Sequence, residues 1–488
     1  MYLFIRTRSY LAPFCFLAVV TQLAGLAMLG QVAQPAAKMT STAQSALRIS
    51  ANPVRKATSS IGCTVKSTNY LGWKAEQLSN RWVTLEIVPQ IGGRLIQVTF
   101  GGHDLLYVNP FLKGQVIPPG TRGGEHNYGG DKIWPLPEGN QDEQHWSGAG
   151  GHLDGGPFTL KVLSRTPTKC AVRLTGPINE EIGQRYIRDI SIGADTPVIS
   201  FHVVMQNMTG FPQTWSEQTI TEFATSEPAG SENLNTKWWG VTELNPKSAY
   251  PKGYHVRTGP EDNPAFVVDD GKLRVHWNDI MQEVWVDSPS GWLAAVNGET
   301  GYTVVMRHKI DPFHQYPGDA SIIFYSSGPP RRRHDQNQAQ PLHREGPFVE
   351  AEMNSPSVEL GPGESYAMDT TWYPTRMGED FKTTTWAGVF GKPLTATRTD
   401  SGLVLSGEFG VFYAGDLVAH LYPKSAEENT IKVMSVVPTE PVKLETTIQA
   451  PPNTSRVSIH LVDAKGVDHG PLGEVLVNPP PSRPERTQ

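Results

Sequence analysis

Cysteine is scarce, with three residues in 488. Cys15 lies in an apolar N-terminal run, so Cys63 and Cys170 are the only thiols left to a folded exported chain. That excludes a small disulfide-dense scaffold and leaves at most one internal bridge, between Cys63 and Cys170, with two buried free thiols as the alternative. Basic excess is missing too. Lys and Arg number 42 against 48 Asp and Glu, a formal charge of −6, which does not suit a nucleic-acid surface. No stretch longer than two turns repeats apolar residues at helical period. The one dense cluster of His and acidic residues, within 142–154, has no fixed zinc spacing, so neither a metal nor a cofactor is assigned. Beyond the N-terminus no apolar run is long enough to span a bilayer.

Glycine and proline are plentiful, 47 and 40 residues, and are spread through the chain as punctuation. Such spacing predicts many turns and short strands. Residues 1–37 carry Arg6 and Arg8, then an apolar run from about Leu11 to Leu29, then small residues. This pattern reads as a secretory signal peptide, with an uncleaved anchor as the alternative, and predicts a secreted or periplasmic protein with no other membrane segment. Residues 38–65 are rich in Ser, Thr and Ala and read as a linker.

Strand signals then follow one another. WVTLEIV and RLIQVTF alternate apolar and polar residues around a PQIGG turn. PFTLKVL, CAVRLTG, QRYIRDISI, VISFHVVMQN, EVWVDS, WLAAVN, YTVVMRH and IIFYSS continue the pattern. The fold class is therefore all-β, with sandwiches rather than α/β units. After Tyr373 the composition changes. Residues 379–478 run in short strands that suit a small immunoglobulin-like sandwich, and 479–488 form a polar tail. Residues 66–378 form the larger domain.

One segment breaks the alternation. EHNYGGDKIWPLPEG, residues 125–139, packs acids, a His, a Lys, a Tyr and a Trp between glycines and prolines. It is excluded as a helix by Gly129, Gly130, Pro135 and Pro137, and it is a poor strand. A segment of this kind either coats the surface or lines a site.

Three phrases carry a family resemblance. EIVPQIGGRLIQVTFGGHDLLYVNP resembles the opening of galactose mutarotase-like proteins. YIRDISIGADTPVISFHVVMQNMTGFPQTW resembles their central strand pair, and VELGPGESYAMDTTWYP their closing strand. The resemblance covers about residues 65–375. NYGGDKIWPLPEG followed by LDGGPFTL is most similar to a subgroup of secreted bacterial proteins with no established activity. The resemblance implies a large antiparallel β-supersandwich with a sugar-sized cleft on one face. It does not reach the last hundred residues.

The resemblance also implies a site. Its general base is a Glu just before the closing phrase, which matches Glu350, with Glu352 on the same side of the strand. Its acid is a His after the central Asn. Here that stretch reads NMTGFPQTWSEQTITEF and contains no His; Trp215, Glu217 and Gln218 occupy the neighbourhood. Arg94 and the opening segment stand where the family lines its cleft, so His126, Tyr128, Asp131, Lys132 and Trp134 are candidate sugar contacts. Trp stacks on a pyranose face, Asp and Lys bind hydroxyls, and Lys132 suits the carboxylate of a uronic acid. His308 and His314 are candidates for a displaced acid. Asp142, Glu143, His145, His152 and Asp154 cluster without a fixed metal spacing, and RRRHD at 331–335 is a basic run that either meets an anion or is solvated.

A carbohydrate ligand is the expected partner. Whether the protein only binds it, or is an aldose epimerase, mutarotase-type or other carbohydrate-active enzyme using Glu350, stays open, as does an adhesive role resting on the C-terminal sandwich.

Overall fold

The computed structural model describes residues 62–119, 126–138, 151–179, 181–226, 234–278, 280–328, 346–423 and 429–478, together with the backbone of 332–334 and 341–344. The expected signal peptide, most of the linker, the polar tail, Glu125, Asp142, Glu143, His145, Arg331 and Asp335 lie outside the described residues.

Strands dominate, and the all-β expectation holds. Two large antiparallel sheets are stacked. The first runs, in spatial order, through Thr64–Tyr70, Trp73–Ser79, Val83–Val88, Arg94–Phe100, Asp131–Leu136, Gln213–Ala224, Phe348–Asn354, Ile322–Ser327, Met281–Val286 and His255–Thr258. The second runs through Phe266–Asp269, Lys272–His276, Trp238–Glu243, Trp292–Asn297, Tyr302–His308, Ser365–Arg376, Ile199–Asn207, Gln184–Gly193, Lys169–Ile178 and Thr159–Arg165. The main core lies between them. Leu85, Val98, Ile190, Phe201, Val284, Phe324, Ala351 and Trp372 meet there.

Alternation explains the peripheral strands. Gln184–Gly193 buries every second residue, as a strand with one core face must. The central strand Gln213–Ala224 is buried at every position from Trp215 onward. Its second face is therefore covered as well.

Two sequence expectations are corrected. The first strand, Thr64–Tyr70, begins inside the stretch read as linker. The Gly- and Pro-rich segment is in part a strand after all: Asp131–Leu136 pairs with Gln213–Ala224 from Thr221↔Asp131 to Ser216↔Leu136. On its other side it meets Arg94–Phe100 only at Leu95↔Asp131. A strand with one largely unpaired side tolerates the missing N–H of Pro135. Gly129 and Gly130 precede it at φ 88° and 80°, where a Cβ would fall 2.2 and 2.6 Å from the Tyr107 and Leu95 carbonyl oxygens. Only glycine lets the segment enter the sheet so close to its neighbours.

Cys63 and Cys170 form a disulfide with Cα atoms 6.0 Å apart. It joins the start of the first sheet's edge strand to Lys169–Ile178 of the second.

Two further sheets of four strands each follow. One holds Thr383–Thr384, Gly388–Thr399, Gly402–Val411 and Val442–Ile448; the other holds Asn429–Val436, Gly415–Pro423, Thr454–Asp463 and Asp468–Leu476. They enclose their own core around Leu405, Phe409, Leu417, Ile459 and Leu472. A shared apolar cluster packs this sandwich on the outer face of the second large sheet. Trp239, Trp292 and Tyr373 meet Phe381, Val389 and Phe412 in it.

Candidate functional site

The outer face of the first large sheet carries the site. Register decides which side chains share that face. Glu222, Glu350, Tyr325 and Glu283 stand side by side across four neighbouring strands. The next row on the same face is Lys132, Ile220, Glu352, Ile323 and Trp285.

These rows floor a cavity of about 200 Å³ lined by Asn127, Trp134, Glu138, Gln218, Ile220, Glu283, Tyr325, Phe348, Glu350 and Glu352. A wider cavity of about 710 Å³ adjoins it, sharing Glu138, Gln218 and Glu283 and adding Arg257, Trp285 and Tyr316 among others. Together they reach the size of an ordinary small-molecule site.

Glu350, Glu352 and Trp134 are the expected residues that line the cavity. Glu350 is half-buried and Glu352 is 4% exposed. The Gln218 side-chain amide donates to Glu352 Oε2. Burial raises the Glu352 carboxyl well above the ordinary range, and Glu350, Glu283 and Glu138 push the same way, against Lys132. Both effects favour the protonated form of Glu352 over the ionised one. The Trp134 ring is fixed by its Nε1–H, which donates to Asp154 Oδ1 at 3.0 Å. The Lys132 ammonium lies 4.2 Å from the centre of that ring.

The other expected contacts do not line it. Lys132 is 2% exposed and lies on the cleft face, but its Nζ is 3.4 Å from Glu222 Oε1. It is a buried ion-pair partner, not an open cation for a uronate. His126 is 8% exposed and does not line the cavity, although Asn127 beside it does. Tyr128 is fully buried edge-on against Trp73, and its hydroxyl accepts the Ile117 N–H at 3.0 Å. Arg94 is fully buried and paired with Asp154 at 2.8 Å.

Asp131, Trp215 and Glu217 face the opposite way, into the space between the two large sheets, because their positions have the wrong parity for the cleft. Asp131 is ion-paired there with Arg188 and accepts the Thr221 hydroxyl at 2.7 Å. Glu217 is fully buried, and among the described residues neither carboxylate oxygen is hydrogen-bonded. Burial raises its carboxyl well above the ordinary range, against the pull of Arg188. Trp215 packs in an apolar cluster with Tyr186 and Leu360.

Neither displaced-acid candidate lines either cavity. His308 is buried on the second sheet, where burial lowers its pKa to about 4. His314 is exposed and bonded to Asp311 at 2.8 Å.

Sequence reasoning missed Glu138, Glu283, Tyr325 and Phe348. Glu283 lies in MQEVWV on alternating positions with Trp285, so the signal was a polar residue on one face of an assigned strand. What was lacking was knowledge of which face forms the cleft.

No protein-family model and no curated protein matches the chain. Several solved structures are matched over part of the chain at low identity. One is a TPR-domain containing protein from Parabacteroides distasonis, 15% identical, with 62% of this chain and 47% of that chain covered at TM-score 0.40. This chain thus spans about half of that one's length. Another is a galactose mutarotase related enzyme from Lactobacillus acidophilus, 10% identical, with 62% and 98% covered at TM-score 0.39. A third is a galactose mutarotase-like protein from Lactobacillus casei, 9% identical, with 62% and 99% covered at TM-score 0.39.

Proposed function

We propose that the cleft binds a carbohydrate. One observation carries this reading: a single cavity sets the acceptors Glu138, Gln218, Glu283 and Glu350 beside the aromatic faces of Trp134, Tyr325 and Phe348. A sugar presents donors at its rim and apolar C–H faces at its plane, and such a wall answers both. Among the described residues Gln218 Oε1 is a buried acceptor without a partner, suited to a ligand hydroxyl. The test is a thermal-shift screen of mono- and oligosaccharides, since a ligand held only by the folded state raises its melting temperature. The reading fails if no sugar shifts the melt, or if the shift survives in Glu350→Gln and Trp134→Ala.

A second reading is favoured by Glu352, a buried carboxyl raised above the ordinary range that lines the cavity with Glu350. A mutarotase-type reaction needs one group to take the anomeric proton and another to give one to the ring oxygen. Glu350 takes the hydroxyl proton as the ring C–O bond breaks, and Glu352 donates its proton to the ring oxygen. Reversal on the other face of the carbonyl closes the ring, and both carboxyls regain their starting states. Glu352 supplies the acid that the sequence lacked as a His. Polarimetry on freshly dissolved aldoses tests it: Glu350→Gln and Glu352→Gln should each cut the rate at least 100-fold, while Glu350→Gln in a pure binder costs only affinity.

We infer further that the protein is exported. The N-terminal apolar run and a disulfide suited to an oxidising compartment both support this.

A further inference from the structure

The C-terminal sandwich carries a cluster that the sugar reading leaves unused. His420 stands on Gly415–Pro423, His460 on Thr454–Asp463 and Asp468 at the start of Asp468–Leu476. These are three adjacent strands of one sheet. The ladder pairs Val418 with His460 and His420 with Ser458, so the two histidines are diagonal neighbours on one face. Their rings lie 4.0 Å apart, centre to centre, at 23°.

The opposite face is core: Leu417, Ala419, Leu421, Ile459 and Leu461 are fully buried. The backbone under the histidines is therefore held from behind. The carboxylate is oriented as well. Gly470 N–H donates to Asp468 Oδ1 at 2.8 Å, while Oδ2 lies 2.8 Å from His460 Nδ1. One ligand atom from each of the three residues falls within 4.8 Å of the others.

We propose that His420, His460 and Asp468 bind one divalent first-row transition ion, Zn²⁺ or a chemically similar one. Two imidazoles and a carboxylate are donors of the class such ions select, in preference to Mg²⁺ or Ca²⁺. Zn–N and Zn–O bonds of roughly 2.0–2.2 Å place tetrahedral ligands roughly 3.4 Å apart, which small side-chain rotations reach from the observed spacing. The open positions of a three-residue site take water or an exogenous ligand. Binding would also cross-link three strands of the sandwich.

The test uses the full exported chain without a His tag, stripped with chelator. Titration with Co²⁺ should give visible d–d bands saturating at one ion per chain, and Zn²⁺ should displace it and raise the melting temperature. Mg²⁺ should do neither. His420→Ala, His460→Ala and Asp468→Asn should each weaken Co²⁺ binding at least tenfold while keeping the circular dichroism spectrum. His469→Ala is the control; that residue is bonded to Asp463 at 3.1 Å and belongs to a separate pair. No saturable band, equal binding in the three variants, or loss of binding in His469→Ala would each overturn the proposal.

Discussion

The Trp134 indole hangs from Asp154: its Nε1–H donates at 3.0 Å to the same Oδ1 that receives Arg94 Nη2 at 2.8 Å. Both carboxylate and guanidinium are buried. Removing one partner of a buried ion pair strands the other charge. Asp154→Ala should therefore destabilise the protein by about 3–5 kcal/mol. Asp154→Asn keeps an oxygen for the indole and should cost less, while sugar affinity falls in both through loss of the ring's orientation. Chemical denaturation and the thermal-shift titration, run on the same variants, check the two parts separately.

Glu217 and Glu352 make alkaline pH costly. Burial raises both carboxyls well above their ordinary 4.5. In the folded chain they keep protons that the unfolded chain has released above that value. Each group's contribution is therefore fully present below about pH 4.5 and is lost as pH climbs through the folded pKa. The steepest loss is about 1.4 kcal/mol per pH unit for each group. Glu217→Met should flatten the stability–pH profile with little loss of stability at neutral pH, because it removes a buried carboxyl with no hydrogen bond. An unchanged profile in that variant would contradict the assignment.

The disulfide should be a large single contribution. It closes a sequence separation of 107 residues, so Cys63→Ser with Cys170→Ser should cost about 4–5 kcal/mol in the chain-entropy picture. Denaturant melts of the double variant against the oxidised protein measure it.

The two β-sandwich regions are expected to depend on each other. No strand ladder runs from Ser365–Arg376 into Thr383–Thr384, yet Phe381 between them is 1% exposed and packs on Trp239 and Trp292. A fragment ending at 378 would bare Trp239, Val241 and Trp292. It should bind a hydrophobic dye and aggregate, whereas the whole chain should resist trypsin across 377–385. Rapid cutting there would show the contact to be weak.

The peripheral strands were legible because they have one wet face. Gln184–Gly193 and Ile199–Asn207 alternate cleanly, and their sequence phrases fall on the observed strands. The cleft strands were harder for the same reason that they matter. Gln213–Ala224 is buried on both sides, so Glu217 and Gln218, adjacent in sequence, gave no sign that one points between the sheets and the other into the cavity. Asp131–Leu136 hid behind its glycines and prolines, and its parity divides Asp131 from Lys132 and Trp134. Glu350 and Glu352 were placed on one face by strand period alone, and that face is the cleft.

The bridge at Cys63 also sets how the chain carries load. Thr64–Tyr70 is the edge of its sheet, bonded on one side only to Trp73–Ser79. A pull arriving from the N-terminal direction would ordinarily peel such a strand away rung by rung. Here the tension meets a covalent junction one residue before the strand and passes into Lys169–Ile178 of the other layer. A pull entering at Cys63 therefore tugs on both sheets at once, and the first rung of the edge strand is the one that cannot unzip.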